Sequence, residues 1–151
     1  MERLEYRLFD KANGYPVLYS YENITEAEIA ARFVCDYFLK DGVLYQKTAC
    51  STEPLMYVIY VKKDEDIISE HNDGLQYDGQ KIRVEIRQYT EEEDVYPLFF
   101  TYEMKEYQQA ILYLQSDFFI WQEKEWQKTS AEIDEDRKVY VLYIQPNFEK
   151  E

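Results

Sequence analysis

Residues 3–62 of the chain read a second time at 83–145, at an offset of about 81, and this self-match constrains the fold more than any composition figure. Arg3-Leu4-Glu5-Tyr6-Arg7 aligns with Arg83-Val84-Glu85-Ile86-Arg87, and Tyr15-Pro16 through Tyr21-Glu22 with Tyr96-Pro97 through Tyr102-Glu103. Asp36-Tyr37-Phe38-Leu39 faces Asp117-Phe118-Phe119-Ile120, Gln46-Lys47-Thr48 faces Gln127-Lys128-Thr129, and Tyr57–Val61 faces Tyr140–Ile144. Fifteen of 52 aligned positions are identical, in unbroken order. A half of about 65 residues buries little surface by itself. The expectation is therefore one α+β domain over 1–151: repeat 1 at 3–62, a linker with a hairpin at 63–80, and repeat 2 at 81–146, arranged about a pseudo-twofold.

Each half predicts a β-β-α-β-β unit with antiparallel pairing and one amphipathic helix. Leu4–Phe9 alternates apolar and charged residues, Asn13-Gly14 marks a turn, and Val17–Tyr21 is rich in strand formers. Thr25 followed by Glu28 is a capping box. Ile29, Ala30, Phe33, Val34, Tyr37 and Phe38 then recur three or four apart, predicting a helix that Gly42 closes. Val43–Cys50 and Leu55–Val61 follow as strands. The second half repeats the pattern with Lys81–Tyr89, Pro97–Tyr102, a helix near Met104–Ser116, then Phe118–Thr129 and Lys138–Gln145. Tyr57–Val61 and Val139–Ile144 are apolar on both faces, which predicts central burial or a homodimer seam.

Composition narrows the functional classes. With 31 acidic against 17 basic residues, a net charge of −14, the chain repels phosphate backbones, so no nucleic-acid partner is expected. An acidic mimic of nucleic acid fits the charge, but the acids gather in loops. No run reaches the roughly 18 apolar residues of a membrane helix, and Met1–Glu5 lacks signal-peptide order, which predicts a cytoplasmic protein without membrane contact. Cys35 and Cys50 stand in no metal or redox spacing and are expected as reduced, mostly buried thiols. A lone histidine, His71 in the linker, offers neither a triad nor a metal site, so neither enzyme activity nor a cofactor is expected. Sixteen tyrosines, eight phenylalanines and two tryptophans exceed what one small core uses. The leading expectation is a non-enzymatic interaction or regulatory module with a protein partner or a second copy of itself.

Repeated side chains carry the remaining expectations. Arg3-Glu5-Arg7 and Arg83-Glu85-Arg87 read as solvated ladders of alternating charge. The Gln-Lys-Thr triplets read as outward strand positions or a partner surface, and Asp134-Glu135-Asp136 as solvated loop charge. As a candidate site, Tyr21, Glu22, Tyr102, Glu103, Trp121 and Trp126 would line a cleft between the halves, its rings and carboxylates suited to a flat organic cation.

The order of Tyr96–Glu103, a helix, and Val139–Pro146, within a doubled unit, is similar in architecture to GyrI-like effector-binding domains. That resemblance implies a small-molecule sensor with its ligand between the halves. Asn23 and Met104 stand where those domains usually carry a glycine after the second strand.

Overall fold

A computed structural model describes residues 2–64, 75–91 and 96–148. His71, most of the expected linker and part of the run Glu91–Asp94 lie outside the described residues. The elements are β1 (Glu2–Leu8), β2 (Val17–Ile24), α1 (Glu26–Phe33), β3 (Tyr37–Lys40), β4 (Val43–Glu53) and β5 (Met56–Lys63), then β6 (Ile82–Gln88), β7 (Leu98–Met104), α2 (Tyr107–Gln115), β8 (Phe118–Trp121), β9 (Lys124–Asp134) and β10 (Val139–Pro146). The strands form one mixed sheet in the order β2-β1-β5-β4-β3-β9-β10-β6-β7, with β8 on β9.

The sheet is mixed, where the sequence predicts antiparallel pairing. β5 runs parallel to β1, β10 to β6, and β3 to β9. Each half leaves its first hairpin through a helix, and this crossover brings the last strand back alongside the first. β5 and β10, apolar on both faces, therefore become central strands, and Val58, Val61, Val141 and Ile144 are wholly buried.

The two halves share strand order, strand senses and register. Leu4 faces Tyr57 as Val84 faces Tyr140. A bulge leaves Leu18 unpaired between Tyr19 and Val17, and another leaves Phe99 unpaired between Phe100 and Leu98. Between β4 and β5 the extra residue is Thr48, and between β9 and β10 it is Thr129. The junction does not repeat. A pseudo-twofold requires β8 to lie on β4 as β3 lies on β9, and among the described residues β8 pairs only with β9.

The helix of repeat 1 stops well short of Gly42. Thr25 caps α1 as expected, its Oγ1 accepting the Glu28 N–H at 3.1 Å. After Phe33 the chain turns out, and Asp36 binds the second half through its own N–H to the Ala131 carbonyl (2.8 Å) and its carboxylate to the Ala131 N–H (2.9 Å). Tyr37 and Phe38 are thus in β3. Asp41 and Gly42, at φ +53° and +74°, make the two-residue turn of the β3–β4 hairpin. Gln122 and Glu123 make the same turn between β8 and β9 without glycine, at φ +51° and +64°.

In the Gln-Lys-Thr triplets Thr48 and Gln127 are exposed, as expected of outward positions, but the lysines and threonines also make structural contacts. The Lys47 ammonium donates to the Phe33 carbonyl at the end of α1 (2.6 Å), and the Lys128 ammonium to the Leu114 carbonyl at the end of α2 (3.1 Å). A cation there meets both the orphan carbonyls and the negative end of the helix dipole. Thr48 and Thr129 hydroxyls donate to the Tyr60 and Tyr143 carbonyls across the bulges.

Both helices pack on one face of the sheet, over Leu4, Tyr6, Phe38, Ile59, Val84, Ile86, Leu142 and their neighbours. The other face carries the expected charge ladders, and in the second half that ladder is buried. Glu85 and Arg87 have no solvent exposure, and Arg87 Nε donates to Glu85 at 2.7 Å. Arg137 donates to both Glu85 oxygens at 2.8 and 2.9 Å, and to Asp134 at 2.7 Å. Tyr77 and Tyr96 cover the cluster: Tyr77 hydroxyl donates to Glu85, and the Tyr96 carbonyl accepts from Arg87. In the first half Glu5 is buried, but its partners Arg3 and Arg7 reach solvent.

Candidate functional site

Where the halves meet, a cleft of about 390 Å³ opens on the helix side of the β3–β9 junction. The first half contributes Glu28 and Arg32 of α1 and Lys40 of β3. The linker contributes Asp78 and Gly79, and the second half Lys81, Ile82, Arg83, Tyr107, Ile133, Glu135 and Lys138–Tyr140. Five basic side chains (Arg32, Lys40, Lys81, Arg83, Lys138) line it against three carboxylates (Glu28, Asp78, Glu135), in a chain whose net charge is −14.

Arg32 and Glu135 form the floor. Arg32 is 5% exposed; it donates to Glu135 at 2.7 Å and lies 3.4 Å from Glu28. Its guanidinium stacks over the Tyr21 ring at 4.7 Å. Glu135 also accepts from the Tyr21 hydroxyl and sits 3.2 Å from the Lys40 ammonium. Burial alone would raise the Glu135 pKa, but Arg32, the Tyr21 hydroxyl and Lys40 outweigh it and hold the carboxyl below the usual range. Burial and the neighbouring Glu28 carboxylate push the Tyr107 hydroxyl up to about 12.

The wall is shaped by a glycine. Gly79 sits at φ +75°, and a Cβ there would meet Lys138 Cδ at 2.8 Å. The bare backbone lets the Lys138 side chain lie across the Asp78-Gly79 turn at the cleft's edge. Arg83 pairs with Asp78 at 3.0 Å and Glu103 at 3.5 Å, and Lys81 with Glu103 at 3.3 Å.

Of the run Asp134-Glu135-Asp136, expected as solvated charge, Asp136 is exposed, but Asp134 is buried, and Glu135 and Asp136 tie the halves together. Asp134 is buried against Arg137, Glu135 anchors Arg32, and Asp136 accepts the Asp41 and Gly42 N–H groups at 2.7 and 2.8 Å. The backbone adds Glu135 N–H to the Leu39 carbonyl at 2.9 Å.

The six residues expected to share a cleft do not converge. Tyr21 and Glu22 are on β2 and Tyr102 and Glu103 on β7, opposite ends of the strand order. Tyr21 reaches the cleft floor through Glu135, while exposed Glu22 pairs with Arg3 at 3.2 Å. Exposed Glu103 braces Lys81 and Arg83. Tyr102 packs on Tyr113 and Phe119. Trp121 stacks on Phe99 at 4.5 Å, and buried Trp126 meets Phe99, Trp121 and Phe148. These aromatics are core of the second half. Arg32, which the sequence reading missed, left one signal: an arginine at a buried position of α1 between Ile29 and Phe33.

A second cavity, of about 140 Å³, lies on the helix-free face among Tyr37, Tyr89, Tyr96 and Tyr143, with Glu132 in its wall. The Tyr96 ring packs 5.4 Å from both Tyr89 and Tyr143, and the Tyr143 hydroxyl donates to Glu132 at 3.3 Å. Among the described residues no acidic, histidine or cysteine cluster could hold a metal ion, and no helix is long and apolar enough to cross a membrane. Cys35 is buried and Cys50, against expectation, exposed; both are free. No protein family, curated protein or solved structure matches the chain.

Proposed function

We propose that the chain is a non-enzymatic regulatory module, arisen by duplication of one unit, that binds a small anion in the cleft between its halves and acts through a protein partner. The observation that carries the reading is the convergence of five cationic side chains, drawn from both halves, in a chain of net charge −14. A multivalent anion such as a phosphate ester or a di- or tricarboxylate would bridge Lys40 of one half and Lys138 of the other, so that occupancy biases how the halves sit together. The cleft's titratable groups support binding over proton transfer. Glu135 is held ionised and Tyr107 protonated, so neither changes state near neutral pH. The shared bulges and the shared lysine caps support the duplication.

The test is thermal denaturation and calorimetry with a panel of phosphate, citrate, sugar phosphates, alkylammonium and guanidinium salts at fixed ionic strength. A ligand at about a hundred times its dissociation constant stabilises by about 2.7 kcal/mol, a rise of roughly 5–10 °C here. Multivalent anions should give this shift, and Lys138→Glu should abolish it without changing the apo melting temperature. A panel without any anion effect, or a shift that survives Lys138→Glu, overturns the reading.

A second reading keeps the aromatic-cation chemistry but moves it to the smaller cavity, where four tyrosines surround Glu132. Its size fits a methylated ammonium group. Stabilisation by tetramethylammonium that Glu132→Gln removes would favour it over the anion site.

A further inference from the structure

β3 and β8 are counterparts. Each follows its helix, and each forms a tight hairpin with the next strand in the same register, Tyr37 opposite Gln46 and Phe118 opposite Gln127. Their outer edges fare differently. β3 adds in parallel to β9, with Tyr37 facing Glu132, Phe38 facing Ile133 and Leu39 facing Asp134. That junction leaves Leu39 only 4% exposed, whereas Ile120, at the matching position of β8, is 66% exposed and Phe118 is 52% exposed. The accepting edge has a counterpart too. Counting from the Gln-Lys-Thr triplets, Glu132–Asp134 of β9 corresponds to Ser51–Glu53 of β4, where Thr52 is exposed and, among the described residues, only β5 is paired alongside. One chain thus carries two donor edges and two acceptor edges of the same design, and its own junction uses one of each.

β8 is short, but it lacks the charged and proline residues that keep an edge strand solitary. Its four residues, Phe118-Phe119-Ile120-Trp121, include no charge and no proline. A head-to-tail contact that leaves the same two surfaces free recruits a further copy of the same unit, and two copies can satisfy both edges reciprocally.

We propose that β8 of one copy adds in parallel to β4 of a second copy, placing Phe118 opposite Ser51, Phe119 opposite Thr52 and Ile120 opposite Glu53. The second copy's β8 does the same in return, closing a twofold dimer. The proposal stands on strand edges alone and is independent of what the cleft binds.

Two measurements test it. Sedimentation equilibrium over a hundredfold concentration range should give a dimer, and Ile120→Lys should weaken it by at least about tenfold with unchanged circular dichroism. In a Cys50→Ser background, Ser51→Cys mixed with Phe118→Cys should form a disulfide-linked dimer on mild oxidation, while neither variant links to itself. A wild-type monomer throughout the range overturns the proposal, as does a dimer indifferent to Ile120→Lys. So does self-linking of Phe118→Cys, which would mean that β8 pairs with β8. A double variant Ser51→Cys/Phe118→Cys that closes only within single chains likewise overturns it, because β8 would then belong on its own β4.

Discussion

Replacing Glu85 with glutamine keeps the shape of the buried cluster and deletes the charge that two arginines share. Burial opposes ionisation of this carboxyl, but Arg137 and Arg87 prevail, drawing its pKa from 4.5 down to about 2. A tenfold change in proton affinity is worth about 1.4 kcal/mol, so the ionised cluster contributes about 3 kcal/mol of stability at neutral pH. Because the folded value lies below the unfolded one, this contribution is complete above about pH 4.5 and is lost as the pH falls towards about 2. Glu85→Gln should therefore lower the unfolding free energy at pH 7 by about 3–5 kcal/mol, the upper figure including the strain of burying Arg137 and Arg87 around a neutral amide. Its stability should also fall less steeply with acid. Glu5→Gln, the same change in the first half, should cost less, because side chains of Arg3 and Arg7 are 44% and 21% exposed and water replaces what the carboxylate gave. Urea denaturation of wild type and both variants at pH 7, 5, 4 and 3 measures this. Parallel pH curves for wild type and Glu85→Gln, or equal costs for the two substitutions, would refute the reasoning.

Removing either lysine cap, as Lys47→Met or Lys128→Met, should cost about 1 kcal/mol by urea denaturation, with similar losses in the two halves; a neutral result in either would deny it the capping role. Gly79→Ala should cost about 1–2 kcal/mol, from its φ of +75° and from contact with Lys138, and Lys138→Ala should recover only the contact part. If the single variant melts like wild type, the glycine is not required there. Burial holds the Cys35 thiol pKa far above its usual value, so a thiol reagent at mildly alkaline pH should modify Cys50 promptly and Cys35 only on unfolding. Simultaneous reaction of both in the native protein would contradict the packing of Cys35.

Period was enough to locate both helices and most strands, with capping marking the start of α1, and the two-sided apolar character of β5 and β10 announced their central place. The end of α1 was not legible for a specific reason. Tyr37 and Phe38 continue the spacing of Ile29 and Phe33, so their period favours more helix, and it is the hairpin of β3 with β4 through Asp41-Gly42, together with the pairing of β3 with β9 in the distant half, that converts them to strand. The parallel pairs escaped for the same kind of cause, since strand direction follows from where the helix crossover lands. The Arg-Glu-Arg ladders illustrate burial that pattern cannot report. Alternation places Glu5 and Glu85 on the face away from the helices, yet whether that face meets water depends on Tyr77 and Arg137, which have no aligned residue in the first half, whereas Tyr96 has one in Tyr15, packed on Phe9 and Tyr60 as Tyr96 is on Tyr89 and Tyr143.

The repeated residues mostly serve the framework and not the cleft between the halves, and the fold gives the physical reason. What both halves need alike is a framework: a capped helix end from Lys47 and Lys128, a bulge filled by Thr48 and Thr129, and bent edge strands at Leu18 and Phe99. A seam between two halves exists once, and its residues have no reason to be repeated. Arg32 aligns with Tyr113 and Lys40 with Trp121, so at these two positions the first half carries a charge of the cleft and the second an aromatic packing residue. Glu135, Asp136 and Lys138 fall in the β9–β10 turn, where the first half has the shorter Pro54-Leu55 connection. Departures from the self-match are therefore where a cleft specific to the junction is written: Arg32, Lys40 and Lys138 are such departures, as are Glu135 and Asp136 that brace the junction, while Arg83 repeats Arg3.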